Sequence, residues 1–332
     1  MRRDLIFEAF NNQPVNRVPI GFWFHFLPDA ETADWRESPR LLEKNLASHQ
    51  AFIRAFRPDM VKIMSDGFFL YPSPGLYQPL DLAMITPLSP EHGWIQAQAT
   101  LARRVKATQE EPAYFYNIFS PITSLRFKLG LERLKAFHAA QPEAFTRALE
   151  RMTQGLISLA KEVMTEGGVD GIYLSVQNPD QSYFSRDFCR KVLAPGEKAI
   201  LQAAADLGGR NILHVCGYAG VKNDLSLYVD YPAEAYNWAV SVERVSLAEG
   251  RALFKNKAVI GGFPNGQDSI LVNKGKAEIN AFTRSLIREA GPTGYIIGAD
   301  CTIPMDIELT RLDWVREAGL EAIRLGLGRR IA

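Results

Sequence analysis

The sequence predicts an α/β chain built on a parallel sheet, and among such folds a single-domain (β/α)8 TIM barrel. Eight short β-like runs, rich in Ile, Val, Tyr and Phe, alternate with longer helical stretches. Several of those runs are apolar throughout, as strands covered on both faces are. No repeat, low-complexity tract or Pro/Ser-rich linker divides the 332 residues, a length that an α/β barrel with insertions fills as one domain. An open doubly wound sheet shares the same alternation and stands as the second architecture.

The expected strands are Arg17–Phe24, Met60–Met64, Ala113–Phe119, Val169–Val176, Asn211–Cys216, Ala233–Val240, Ala258–Gly262 and Gly294–Asp300. Between them, Pro142–Gly167 carries Phe145, Ala148, Leu149, Met152, Leu156, Leu159 and Val163 on one helical stripe. Phe188–Leu207, Lys276–Ala290 and Met305–Leu327 are the further helices. Gly167-Gly168 and Gly208-Gly209 are placed to end helices just before strands. Residues 67–109, with several prolines and aromatics, read as an insertion over the barrel mouth or a long βα loop.

Composition excludes several functions. With 38 basic against 37 acidic residues, the chain has no long-range field to draw in nucleic acid or an anionic membrane. No apolar run is long enough to span a bilayer, and Asp4 and Glu8 interrupt what would be a signal peptide's apolar core. Three cysteines make no disulfide framework, so a reducing, cytoplasmic location is expected.

The sharpest chemical feature is His214-Val215-Cys216-Gly217 at the end of a strand. Residues two apart on a strand share a face, so His214 and Cys216 can reach one ion. Cys301 follows the last strand, and in a barrel both segments meet at the C-terminal mouth. One imidazole and two thiolates suit Zn2+ and leave a coordination position open. A core histidine and two buried thiols are the plainer alternative. Asp66, after the second strand, is a functional carboxylate or a turn cap. His25, among Phe22, Trp23, Phe24 and Phe26, faces the mouth or belongs to an aromatic wall. Cys189 is expected to be buried, and His49, His92 and His138 to lie at the surface. Gly261-Gly262-Phe263-Pro264-Asn265-Gly266 lacks either common nucleotide fingerprint and reads as a flexible βα loop.

Taken in order, several motifs resemble the uroporphyrinogen decarboxylase-like superfamily. Arg17-Val18-Pro19-Ile20 is similar to its Arg-x-Pro-Val opening, and Ile63-Met64-Ser65-Asp66 to its Phe-Ser-Asp segment. Ser120-Pro121-Ile122-Thr123-Ser124 resembles its Gly-x-Pro-Phe-Thr stretch, and Gln181 through Pro195 the segment after its middle strand. Ile260-Gly261-Gly262-Phe263-Pro264 stands where Gly-Asn-Leu-Asp-Pro is usual. The resemblance spans nearly the whole chain and implies a (β/α)8 barrel. The decarboxylases carry two arginines after the first strand to hold substrate carboxylates, whereas Gly21–Phe26 contains none.

His214-x-Cys216 with a distant Cys301 instead resembles the zinc motif of the superfamily's cobamide-dependent methyltransferases. That branch implies a zinc-dependent methyltransferase moving a methyl group between a corrinoid and a thiol or similar acceptor. Its partners would be a small-molecule substrate and a separate corrinoid carrier protein, with a homodimer one option for self-association. Asp66 would orient the acceptor or take its proton. His25, Tyr116, Asn117, Gln177 and Asn237, at or near strand ends, are the expected substrate-binding residues. Two other readings stay open. One is a metal-free decarboxylase using Asp66 and basic residues such as Arg126. The other is a non-catalytic barrel that binds a tetrapyrrole or corrinoid.

Overall fold

Seven of the eight apolar runs become strands of one parallel sheet, paired strictly in chain order. They are β1 (Met60–Ile63), β2 (Ala113–Phe119), β3 (Gly171–Val176), β4 (Ile212–Val215), β5 (Ala235–Trp238), β6 (Ala258–Phe263) and β7 (Tyr295–Ala299). These come from a computed structural model, which describes residues 1–28, 39–177 and 181–326. All residues of the seven strands are buried except the half-buried Phe119, which explains their apolar character on both faces. The sheet curls in the manner of a TIM barrel, with helices as its crossovers.

The expected first strand is much reduced. Within Arg17–Phe24 only Ile20 makes a strand bridge, to Ile297 of β7. Gly21 N–H donates to Ile297 O at 2.9 Å, and Ile297 N–H donates to Pro19 O at 2.8 Å. On its other side Ile20 meets Asp59 and not a strand. Its carbonyl accepts from Asp59 N–H at 3.2 Å, while its N–H donates to Asp59 Oδ2 at 2.9 Å. Arg17 forms a two-pronged ion pair with the same carboxylate. A side chain therefore replaces the backbone ladder, and among the described residues the sheet has seven strands.

The same device recurs along the rim from which the strands start. Asp170, just before β3, accepts from Tyr114 N–H of β2 at 2.8 Å. Asn211, just before β4, accepts from Ile172 N–H of β3 at 3.0 Å. Glu234, just before β5, accepts from Asn211 N–H at 2.7 Å. Each of these side chains takes a backbone donor from the preceding strand or its approach, so β3, β4 and β5 begin later than their apolar runs suggest.

Helix Pro142–Thr165 forms as expected and packs against helices Gly93–Lys106 and Ala194–Ala205. Lys276–Ala290 forms over its full expected span. Phe188–Leu207 is divided into the end of a short helix (Arg186–Phe188), a π-helical turn (Cys189–Leu193) and the helix Ala194–Ala205. The last helix runs Leu309–Arg324, and Leu327, which closed the expected span, lies outside the described residues. Residues 67–109 contain the crossover helix Gly93–Lys106 itself, preceded by a 3-10 turn at Pro79–Met84.

Two further expectations are corrected. Gly261-Gly262 belongs to β6 and not to a flexible loop. Both have positive φ, and a Cβ at these positions would meet Asn237 Nδ2 and Leu286 at about 3 Å or less. His49, expected at the surface, is fully buried. Its Nδ1 contacts Asn45 O at 3.0 Å and its Nε2 accepts from Met64 N–H at 3.0 Å, so both ring nitrogens have partners inside. Burial lowers its pKa to about 4 and keeps it neutral.

Asp59 is buried between Arg17 and Ile20, and its loss strands a guanidinium and a backbone donor together. Asp59→Ala should destabilise the fold by about 3 kcal/mol in denaturant unfolding. A loss within about 0.5 kcal/mol, the range of an ordinary surface substitution, would show that the seam does not depend on this carboxylate.

Candidate metal centre

The C-terminal ends of β4 and β7 bring three soft donors together. His214 lies inside β4, and Cys216 follows it with its N–H donating to Val176 O at 2.8 Å. Cys301 stands two residues beyond β7. The ligating atoms of His214, Cys216 and Cys301 all lie within 4.8 Å of one another. Cys301 Sγ is 3.6 Å from His214 Nε2. Among the described residues no other group of three His, Cys, Asp or Glu side chains has this compactness.

The loop after β4 is itself held. Asn223 Nδ2 donates to Cys216 O at 2.9 Å and to Glu243 Oε1 at 2.7 Å. Burial raises the pKa of Glu243, while its bonds to Asn223 oppose the shift. On the other side, Asp300 Oδ2 accepts from Ser241 N–H at 2.9 Å and from the Ser241 hydroxyl at 2.6 Å, which fixes the residue before Cys301.

A hydrogen bond from Cys216, with His214 and Lys62 nearby, holds the Cys301 thiol well below the usual cysteine range. Cys216 is pushed up by that same hydrogen bond and by burial. His214 Nδ1 is buried without a hydrogen-bond partner among the described residues. Two thiols and one imidazole in contact are the donor set that zinc takes, and three protein ligands leave its fourth position open. The residues present therefore fit a zinc ion.

These three residues line one wall of a cavity of about 260 Å³. Phe69, Phe119, Phe127 and Val176 supply apolar walls, and Arg126 and Tyr218 also line it. The Arg126 guanidinium lies 4.6 Å from the Tyr218 ring centre. The volume is just below the range of about 300–1,000 Å³ common for small-molecule pockets.

Of the expected substrate-binding residues, only His25 lines this cavity. Tyr116 is buried with its hydroxyl donating to Gln98 Oε1 at 3.0 Å. Asn117 bridges Ser65 and Ser175 inside the sheet. Asn237 accepts from the Tyr173 hydroxyl at 2.7 Å and donates to Ile260 O and Ala299 O. Gln177 donates to Tyr218 O at 3.0 Å. These four side chains bond within the protein.

Asp66 is also withdrawn from the cavity. Its Oδ2 accepts from Phe26 N–H at 2.5 Å and Leu27 N–H at 3.2 Å, and its Oδ1 is 2.9 Å from His25 Nδ1. The carboxylate is buried, whereas the His25 side chain is 35% exposed. The cavity therefore meets the imidazole and not the acid behind it.

Sequence reasoning missed Lys62. It sits in the middle of β1, is 4% exposed, and lines the cavity with the donor cluster. Burial lowers its pKa to about 8, against the opposing pull of Cys301, Cys216 and Asp66. The available signal was one charged residue inside the otherwise apolar run Met60-Val61-Lys62-Ile63-Met64.

Comparison with solved structures gives the same architecture at low sequence identity. A methyltransferase from Methanosarcina mazei superposes with a TM-score of 0.70 at 15% identity, covering 97% of this chain and 99% of that one. A B12-independent methionine synthase from Shewanella sp. W3-18-1, in complex with selenomethionine, gives 0.59 at 12% identity, covering 94% and 99%. A β-mannanase from the blue mussel Mytilus edulis gives 0.50 at 10% identity, covering 94% and 93%. At these identities the likeness is one of fold. No curated protein matches the chain in sequence. Residues 71–321 match the family described as Uroporphyrinogen decarboxylase (URO-D), and with most of its length inside that match the chain belongs to this family.

Proposed function

We propose that the chain is a zinc-dependent methyltransferase that moves a methyl group between a corrinoid and a thiol or similar small acceptor. The observation that carries this reading is the compact His214, Cys216 and Cys301 cluster facing a cavity. Family membership and the overlap with a methyltransferase fold support it. We also read the sheet as a closed (β/α)8 barrel of one domain, with the Pro19–Gly21 segment as its eighth stave.

His214, Cys216 and Cys301 would hold the zinc, which supplies a Lewis acid that lowers the pKa of an acceptor bound beside it. Asp66 acts through His25. The Asp66 oxygen beside Nδ1 favours the tautomer with a proton on Nδ1, leaving Nε2 to take the acceptor's proton. Phe69, Phe119 and Phe127 exclude water from this exchange. A cavity of about 260 Å³ suits a small acceptor. A corrinoid is far larger, so it would present its methyl group from outside, on a separate carrier protein.

Arg126 and Lys62 line the cavity, and together with the family's description they favour a decarboxylase that grips an acid there. The size of the cavity argues against a tetrapyrrole, and so does the aromatic run Phe22–Phe26, two of whose rings, Phe24 and Phe26, pack together around Phe52.

Zinc-loaded protein given methylcobalamin and a small thiol should form the thioether. Coproporphyrinogen should not form from uroporphyrinogen under anaerobic conditions. Robust decarboxylation without thioether would reverse the ranking of the two readings. In the same assay His25→Ala should slow transfer roughly a hundredfold, the usual scale for losing a general base. An unchanged rate would remove His25 and Asp66 from the chemistry.

A further inference from the structure

Lys62 is a buried cation without a buried anion of its own. Among the described residues no hydrogen bond or ion pair is made by its Nζ. It is held instead over two aromatic faces, 4.0 Å from the Tyr173 ring centre and 5.3 Å from that of Trp23. The acidic groups that act on it are Cys301, Cys216 and Asp66. Asp66 is already engaged by two backbone amides and His25. A divalent ion at the cluster would be neutralised by the two thiolates, since the imidazole adds no charge. Lys62 would then remain as an ammonium on the cavity wall whose acidic neighbour, Asp66, is turned toward two backbone amides and His25. Burying an unpaired charge is costly, and an anion placed beside it removes that cost.

The geometry points to Lys62 as the residue that makes this cavity take its acceptor as an anion, its ammonium serving as the counter-charge beside the His214–Cys216–Cys301 cluster. Tyr173 and Trp23 keep the ammonium aimed while offering no competing negative group. The fourth position of the ion would then prefer a thiolate to a neutral ligand of similar size. This inference rests on the metal-dependent reading above, and it assigns Lys62 a specificity role distinct from holding the metal.

Cobalt(II) in place of zinc provides a visible spectrum with which to test it. Wild type, Lys62→Met and Lys62→Gln would each be loaded with cobalt and titrated with 2-mercaptoethanol, then separately with imidazole as a neutral ligand. All three should hold one cobalt per chain. Both variants should bind the thiol at least about tenfold more weakly than wild type, and imidazole within about threefold. Equal thiol affinity in wild type and a cobalt-loaded variant would overturn the role of Lys62 and leave the metal site standing. Equal weakening for thiol and imidazole would also overturn it, since a packing defect does not distinguish charge. If wild type takes up no cobalt, the metal-dependent reading fails, and this inference with it.

Discussion

The structure depends on a row of side chains that hydrogen-bond across the strand starts. Asp59, Asp170, Asn211 and Glu234 each stand just before a strand, and each accepts from a backbone N–H one stave back. Unpaired N–H groups at a buried sheet end are costly, so this row fixes where each strand begins relative to the last. Asp59 matters most because it lies at the seam. There it joins Ile20 to the start of β1, while Ile20 bridges to β7 on the other side. The curl that follows brings the far ends of β4 and β7 within reach of one another.

At those far ends the sheet gathers groups of several kinds. Among the described residues, two thiols, an imidazole with an unpartnered nitrogen, and a buried ammonium surround one cavity. A buried ammonium and a buried imidazole nitrogen are expensive without partners, whereas a thiol is buried readily. The donors call for a soft-leaning divalent ion, and the ammonium for an anion. Around them, Asn223, Glu243 and Ser241 tie down the backbone next to both cysteines. That arrangement holds His214 on a strand and the two cysteines on tied-down segments just beyond strand ends.

Much of this was legible in the sequence because buried parallel strands are apolar on both faces. Ala113–Phe119 formed over its full expected span, and six other strands differed by no more than two residues at either end. His214, Cys216 and Cys301 were also legible, since strand periodicity and the mouth of the fold bring them together. The reduction of the expected strand Arg17–Phe24 to one bridge was not, because a carboxylate stands in for its ladder and hydrophobic pattern does not register that. His49 was misplaced because both of its partners, Asn45 O and Met64 N–H, are backbone groups with no sequence signature. Asn117 and Asn237 show the same limit in reverse. A polar residue near a strand end can bind a ligand or a neighbouring strand, and composition does not separate the two.

The central claim is that His214, Cys216 and Cys301 together hold a metal ion, and zinc stoichiometry tests it most directly. After reconstitution and removal of loose metal, wild type should retain about one zinc per chain, and Cys216→Ala and Cys301→Ala should each lose most of it. Zinc retention by wild type no greater than that of the double variant would contradict the account.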